Sequence, residues 1–267
     1  MAEEKLEDTR WVLVLGASSG FGGAAAIALA EAGFNVCGVH LDMRSRMEGA
    51  DAIFDQVKAA GHESAFFNVN AADAEKRKEV LDAMEGRLGG GGFRVLLHSL
   101  AFGTLQPLVS AEEGRSLITQ KQVDMTLDVM AHSLVYWTQD LVARNMLRRG
   151  SRILAMTSAG GHRVIPTYGA VSAAKASLES HIRQLAMELA PAGVTANAIL
   201  AGVTDTPALR RIPGSEKIAE AALARNPSGR LTTPEDIAKF IVMWAGPGSQ
   251  WATGNVMQVD GGEDIVG

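Results

Sequence analysis

The chain holds a single cysteine, Cys37, among 267 residues, so no intrachain disulfide can staple it, which suits a reducing compartment. Cys37 sits in an apolar run and reads as a small buried hydrophobe. Aromatic residues make up 5% of the chain and only two are tyrosine, Tyr136 and Tyr168, which leaves two candidates for a reactive phenol. Basic residues are not in excess: 25 Lys and Arg face 30 Asp and Glu, a net charge of -5, and they are dispersed, which argues against a nucleic acid partner. No apolar run approaches the ~18 residues of a membrane span. The opening MAEEKLEDTR, with four acids and two bases, predicts neither a signal nor a transit peptide, so the expected compartment is the cytoplasm. The six histidines show no metal-ligand spacing with cysteine or acid, and no metal site is expected.

What is present is apolar residue in quantity, 47% of the chain, enough to bury a large core and to exclude a disordered or fibrous polymer. Short apolar runs over 11–15, 35–40, 64–67, 93–98, 152–156, 194–200 and 256–259 read as seven strands. Between them, stretches over 20–32, 47–60, 72–88, 120–147 and 166–190, and one opening at Pro234, read as helices. Strands alternating with helices, with no linker, predict one domain over 1–267. Its fold class is α/β, a single-domain, doubly wound, Rossmann-type seven-stranded parallel sheet with helices on both faces. Ligands bind such sheets at the carboxyl ends of the strands. The segment 205–230 breaks the rhythm there and is a candidate substrate flap, with Leu209, Ile212 and Ile218 offering apolar surface.

Gly16, Gly20 and Gly22 of GASSGFG lie between the first strand and its helix. Glycines there allow a tight turn and bring backbone N–H groups close to a pyrophosphate at the helix N-terminus. Residues 16–20 also spell G-x-S-x-G, a nucleophile elbow with Ser18 as nucleophile. That elbow requires an acid and then a histidine further along; His162 and His181 are available, but no such order stands out.

Tyr168 follows Pro166, a helix-starting residue, and precedes Lys175 by seven positions. Seven steps of ~100° make two turns less about 20°, so the two side chains share a helical face. Lysine beside a phenol favours the phenolate, and its donors can hold ribose hydroxyls, a pairing suited to proton or hydrogen-bond donation beside a nicotinamide. Val171, Leu178, Ile182, Leu185 and Leu189 form the core stripe of the same helix, and Lys175 lies close enough to it to require a partner.

With these motifs in place the sequence resembles the short-chain dehydrogenase/reductase family over nearly its whole length. The resemblance rests on GASSGFG, Asn68-Val69 after the third strand, Ser158 ahead of Tyr168 and Lys175, Asn197, and the closing Val259-Asp260-Gly261-Gly262. The commoner branch carries its tyrosine four residues before the lysine, where this chain has Val171. The seven-residue interval, His98-Ser99-Leu100, and Ala201-Gly202 followed by Thr206 look like the divergent branch of enoyl-acyl-carrier-protein reductases.

That resemblance implies transfer of hydride from a reduced nicotinamide to the β-carbon of a 2-enoyl thioester in fatty acid synthesis, the acyl group being carried on acyl carrier protein or coenzyme A. Tyr168 would donate a hydrogen bond to the enolate oxygen, Lys175 would bind the nicotinamide ribose, and Val203 and Thr206 would hold the carboxamide and pyrophosphate. Ser18, Ser19 and Phe21 would join Gly16, Gly20 and Gly22 around the cofactor, with Asn68, Val69, Ser99 and Leu100 lining it and His98 a core residue nearby. A homotetramer is implied, with the 166–190 helix pairing with its copy.

Ser158 stands ten residues before Tyr168, where divergent members usually carry a second aromatic, and thirteen before Val171. The second interval is the serine-to-tyrosine spacing of the commoner branch, in which serine polarises a ketone. A 3-ketoacyl or other carbonyl reductase is therefore the alternative; a serine hydrolase through Ser18 and a dinucleotide-binding regulator without chemistry complete the field. The asparagine that the commoner branch places near Ala131 or His132 is missing, which weighs against the ketoreductase. For the cofactor, His40 occupies the position where an acid grips the 2'-hydroxyl of NAD, with Asp42 two residues on and Arg44 and Arg46 beyond. Two arginines within reach of a 2'-phosphate favour NADPH, with NAD as the other possibility.

Overall fold

The computed structural model describes residues 10–266. The reading of the first ten residues as free of a leader therefore falls, apart from Arg10, outside the described residues, as do the two ends of the 1–267 domain span. Seven strands, β1 (Trp11–Leu15), β2 (Asn35–His40), β3 (Ser64–Asn68), β4 (Phe93–His98), β5 (Arg152–Ser158), β6 (Thr195–Ala201) and β7 (Val256–Val259), form one sheet in the order β3-β2-β1-β4-β5-β6-β7. Every neighbouring pair is parallel. The order runs outward from β1 in both directions, so a switch point lies between β1 and β4, where a crevice opens at the carboxyl ends.

The pleat of β1 explains why it reads as an unbroken apolar run. Trp11, Leu13 and Leu15 pack into one core and Val12 and Val14 into the other, all buried. On the first face lie α3 (Ala74–Glu85), α5 (Ser133–Ala143) and α6 (Gly169–Leu189), which contribute Leu81, Trp137 and Leu178. On the second lie α1 (Gly20–Glu31), α2 (Met47–Ala59) and α8 (Pro234–Ala245), with Leu29, Val57 and Ile241. Cys37 is fully buried in the first core, as expected, and burial pushes its thiol pKa up. No helix among the described residues is long and apolar enough to cross a membrane.

Three of the departures from the sequence reading bear on the site. The helix expected over 120–147 is broken into α4 (Gln120–Leu127), a π turn at Asp128–His132, and α5. Ser133 Oγ donates to the Val129 carbonyl at 2.8 Å, and α5 ends at Ala143, two residues ahead of Asn145, whose φ is 54°. Inserted side-chain bonds of this kind loosen the i→i−4 ladder without any glycine or proline to announce it. The helix expected from Pro166 starts instead at Gly169, because Thr167 adopts a left-handed φ of 63°. Finally, β5 runs two residues further than expected, to Ser158. The excursion 205–230 carries its own helix, α7 (Ser215–Arg225).

Gly22, in the first turn of α1, faces the glycine turn so closely that an added Cβ would run into the carbonyl of Gly16, with the Cβ of Ser99 3.3 Å away. Backbone cannot yield as a flexible side chain can, so Gly22→Ala should lower the free energy of unfolding by about 1–3 kcal/mol. A denaturant titration that gives an unchanged midpoint would show that the helix can move off the turn freely.

Candidate active site

The carboxyl ends of β1, β4 and β6 converge on the glycine turn. Gly16 has a φ of 93° and Gly20 of 53°, left-handed conformations that glycine adopts without a steric cost. A Cβ on Gly16 would collide with the Ser99 carbonyl and stand 3.5 Å from Leu100, while one on Gly20 would lie 3.7 Å from Thr206. Thus Gly16, Gly20, Gly22, Ser99, Leu100 and Thr206 come together at one point. The N-cap of α1, Ser19, makes no side-chain cap bond, so the amides of the first turn keep their orphan donors. Open donors at a helix start beside a cradle that a Cβ would fill suit the pyrophosphate of a dinucleotide, and the residues present fit that group. Ser18 and Phe21 are half-buried beside this cradle.

At the far side of the turn, β2 and β3 end together. Asn68 Nδ2 donates to the Asp42 carbonyl and its Oδ1 accepts from the Asp42 amide, both at 3.0 Å, and the Val69 amide bonds the His40 carbonyl at 2.7 Å. His40 is turned inward, buried against Phe54 with ring centroids 4.9 Å apart, and its Nδ1 lies 2.9 Å from an Asp42 carboxylate oxygen. Arg44 and Arg46 are exposed in the short turn that follows. His40 thus acts on the strand end through Asp42, a pairing that the sequence reading missed.

The second half of the site is built by β5 and α6. Tyr168 is the N-cap of α6, its carbonyl accepting from the Ser172 amide at 2.8 Å, so the tyrosine stands at the start of the lysine's helix rather than inside it. The left-handed Thr167 sets its position, and Gly160 makes room for the ring: a Cβ there would stand 2.5 Å from it. Burial raises the phenol pKa while the nearby Ser158 hydroxyl opposes the shift, so Tyr168 is a neutral donor at neutral pH. Ser158 Oγ accepts from the Gly160 amide at 3.1 Å.

Lys175 lies in the first turns of α6, 5% exposed, and finds the partner its place demanded: Nζ donates to the Met156 carbonyl at 2.7 Å. Desolvation lowers its pKa to about 8, and the Glu179 carboxylate opposes that drop. Thr157 Oγ1 donates to Glu179 at 2.6 Å and fixes that carboxylate. Neither Thr157 nor Glu179 was given a role in the sequence reading, although Glu179 stands one helical turn after Lys175, where side chains meet. Opposite, His98 is fully buried with Nε2 2.9 Å from Ser133 Oγ; burial and the Lys175 charge push its pKa down to about 3. Val203, expected at the carboxamide, has its amide bonded to Glu263 at 2.9 Å. Asn197 serves the fold, bonding Ala252 and Asn255 to tie β6 to the approach of β7.

The histidines that a Ser18 nucleophile would need are engaged elsewhere, His162 with Asp264 and His181 with His132. No cluster of three or more metal-ligating side chains occurs among the described residues.

Residues 16–263 match a family profile described as "Enoyl-(Acyl carrier protein) reductase". The chain is 32% identical over 188 residues, 70% of each protein, to the enoyl-[acyl-carrier-protein] reductase [NADH] FabI of Salmonella typhimurium. It is 30% identical over 257 residues to the 3-oxoacyl-[acyl-carrier-protein] reductase FabG of Pseudomonas aeruginosa, covering 94% of this chain and 95% of that protein. Among solved structures, a dehydrogenase/reductase from Sinorhizobium meliloti superposes with a TM-score of 0.80 at 27% identity, covering 95% of this chain and 94% of the other. With its seven-stranded parallel sheet, its glycine cradle and its Tyr168–Lys175 pair, the chain belongs to the short-chain dehydrogenase/reductase family of oxidoreductases.

Proposed function

We propose that this oxidoreductase uses NADPH to reduce the carbon–carbon double bond of a 2-enoyl thioester carried on acyl carrier protein or coenzyme A, as in fatty acid synthesis. The observation that carries the reading is the place of Tyr168: a buried, protonated phenol at the N-cap of α6, seven residues ahead of Lys175. The bound cofactor supplies the hydride. In an enoyl thioester the negative charge then develops on the thioester oxygen, two carbons removed from the carbon that accepts the hydride; in a ketone it develops on the oxygen attached to that carbon. A donor set one turn back from the commoner position suits the longer span, and Tyr168 donates its hydrogen bond to that oxygen where charge appears. Lys175, charged at neutral pH and aimed by the Met156 carbonyl, holds the ribose. Thr206 and the first turn of α1 hold the pyrophosphate.

NADPH is favoured because Arg44 and Arg46 are exposed at the end of β2, whereas the Asp42 carboxylate is turned to His40. The apolar residues Leu209, Ile212 and Ile218 of the flap, all half-buried, face the acyl chain. In the assembled enzyme α6 pairs with its copy in a homotetramer, and the cytoplasm is its place of action.

A second reading has its own support. Ser158, beside Tyr168, gives the site a second hydroxyl able to polarise a carbonyl, and on that reading the substrate is a 3-ketoacyl thioester or another carbonyl compound.

Oxidation of reduced nicotinamide with crotonyl and acetoacetyl thioesters separates the two. Turnover of the enoyl substrate alone is expected, and turnover of the keto substrate alone establishes the second reading. Tyr168→Phe should cut enoyl reduction by about 10²–10³-fold, the cost of one donor at a developing oxyanion, and leave cofactor affinity within twofold or so; full activity in that variant removes the phenol from the mechanism. Run side by side, NADPH should support a higher kcat/KM than NADH, and a strong NADH preference overturns the assignment to the arginines. Glu179→Gln keeps an acceptor for Thr157 but deletes the charge that supports the ammonium, so the Lys175 pKa should fall below about 8. A 15N-detected titration of the lysine would falsify this by showing no drop.

A further inference from the structure

The last described residues of the chain form a hub. After β7 the backbone turns through Asp260, Gly261 (φ 65°) and Gly262 (φ 88°). Asp260, 5% exposed, bonds the turn from within: one carboxylate oxygen accepts from the Gly262 amide at 2.9 Å and the other from the Asp264 amide at 2.8 Å. The turn sends its next two acids to different parts of the site. Glu263, 4% exposed, accepts from the Val203 amide at 2.9 Å with one oxygen and pairs with Arg225, the last residue of flap helix α7, at 3.3 Å with the other. Asp264 pairs with Arg163 at 2.7 Å and with His162 at 3.1 Å, both in the loop that leads from Ser158 to Tyr168. Beside them Asn226 Nδ2 donates to the Asp260 carbonyl at 2.9 Å and Ser228 Oγ to the Gly261 carbonyl at 3.1 Å, so the C-terminal end of the flap rests on the same turn.

A carboxylate removed this far from water is costly unless its oxygens are satisfied, and Glu263 satisfies them with groups from two separate elements. One is the loop after β6; the other is the flap. Gly202 has no side chain where one would be excluded, since a Cβ there would run into Thr232 Oγ1, with Glu263 3.0 Å and Asp260 3.1 Å away.

We propose that Glu263 is a positioning residue that couples the flap to the cofactor loop: docking of α7 through Arg225 orients the carboxylate that fixes the Val203 amide. In this arrangement undocking of the flap frees one oxygen of Glu263 and loosens the hold of the other on the Val203 amide. Asp264 anchors the same turn to the segment that carries Tyr168. The proposal rests on the reading of 205–230 as the substrate flap and of the loop after β6 as the nicotinamide side of the site.

The test uses the full-length protein and two readouts that need no acyl substrate: the Kd of NADPH from its fluorescence, and the rate of tryptic cutting at Arg210, Arg211 and Lys217 in the flap. In the wild type, saturating NADPH should slow cutting. Arg225→Gln, a substitution at a half-buried helix end that the fold should tolerate, should speed cutting about tenfold, the scale of one charge-assisted hydrogen bond. Glu263→Gln keeps an acceptor for the Val203 amide but loses the charge that holds Arg225; it should speed cutting and, since coupling is reciprocal, raise the Kd about threefold, and a Kd left unchanged while cutting speeds refutes the coupling. Glu263→Ala loses both partners; it should raise the Kd about tenfold and make cutting insensitive to NADPH. Should Arg225→Gln and Glu263→Gln cut at the wild-type rate, with only the Tm lowered, Glu263 is a structural clamp and the coupling is refuted. If the variants behave as expected while no enoyl thioester is reduced, the coupling stands and the substrate assignment falls.

Discussion

One hydrogen bond organises the site, that from the Lys175 ammonium to the Met156 carbonyl at 2.7 Å. Helix α6 carries this lysine on the edge of its core stripe, between Val171 and Leu178, where a charged group without a partner would cost several kcal/mol. The bond to β5 and the fixed Glu179 carboxylate make the burial tolerable, and the ammonium persists at neutral pH with a pKa near 8. That single retained charge adds to the effect of burial on its neighbour. His98, fully buried nearby, is held neutral down to about pH 3 by burial and by the lysine. Tyr168, buried on the other side, keeps its proton. Three titratable side chains on neighbouring elements thus settle into one cation, one neutral imidazole and one neutral phenol, an arrangement built to donate hydrogen bonds rather than to accept protons.

The inner strands were legible because they are buried on both faces, so their apolar runs have no competing helical period: β1, β2 and β4 agree with the sequence reading at both ends, as does the half-exposed edge strand β7. Where the reading fell short, the deciding interactions are long-range or conformational. The polar pair Thr157 and Ser158 gave no sign that β5 continues, because their pairing with Leu200 and Ala201 depends on β6 arriving alongside. The π turn at Asp128–His132 is held from within by the Ser133 hydroxyl and meets His98 from β4, a contact that no local pattern encodes. Tyr168 fell outside its helix through a left-handed threonine, a conformation that a β-branched residue adopts only under tertiary constraint.

The site divides in the same way. The glycine cradle and the Tyr168–Lys175 pair could be found because their chemistry lies in residue types at fixed spacing. Glu179 was within reach of the same reasoning, one turn beyond Lys175. The pairing of His40 with Asp42 and the reach of Glu263 back to Val203 were not, because the first turns on a rotamer and the second spans 60 residues. A motif states which groups are available; the packing around it states which of them are free to act, and His40 and the Val203 amide are both already engaged.

That distinction bears on the choice between the two substrate classes. Ser158 keeps the interval to Val171 that the commoner branch keeps to its tyrosine, but at Val171 the chain has no hydroxyl, and the side chain is buried in the α6 stripe. A ketone bound as in that branch would find its serine and lack its acid. With the phenol moved to the helix N-cap, Ser158 Oγ is engaged by the Gly160 amide, the residue whose missing side chain admits the Tyr168 ring. The serine oxygen therefore helps to seat the loop that places the phenol, and Tyr168 is the hydroxyl acid that the α6 side of the site offers.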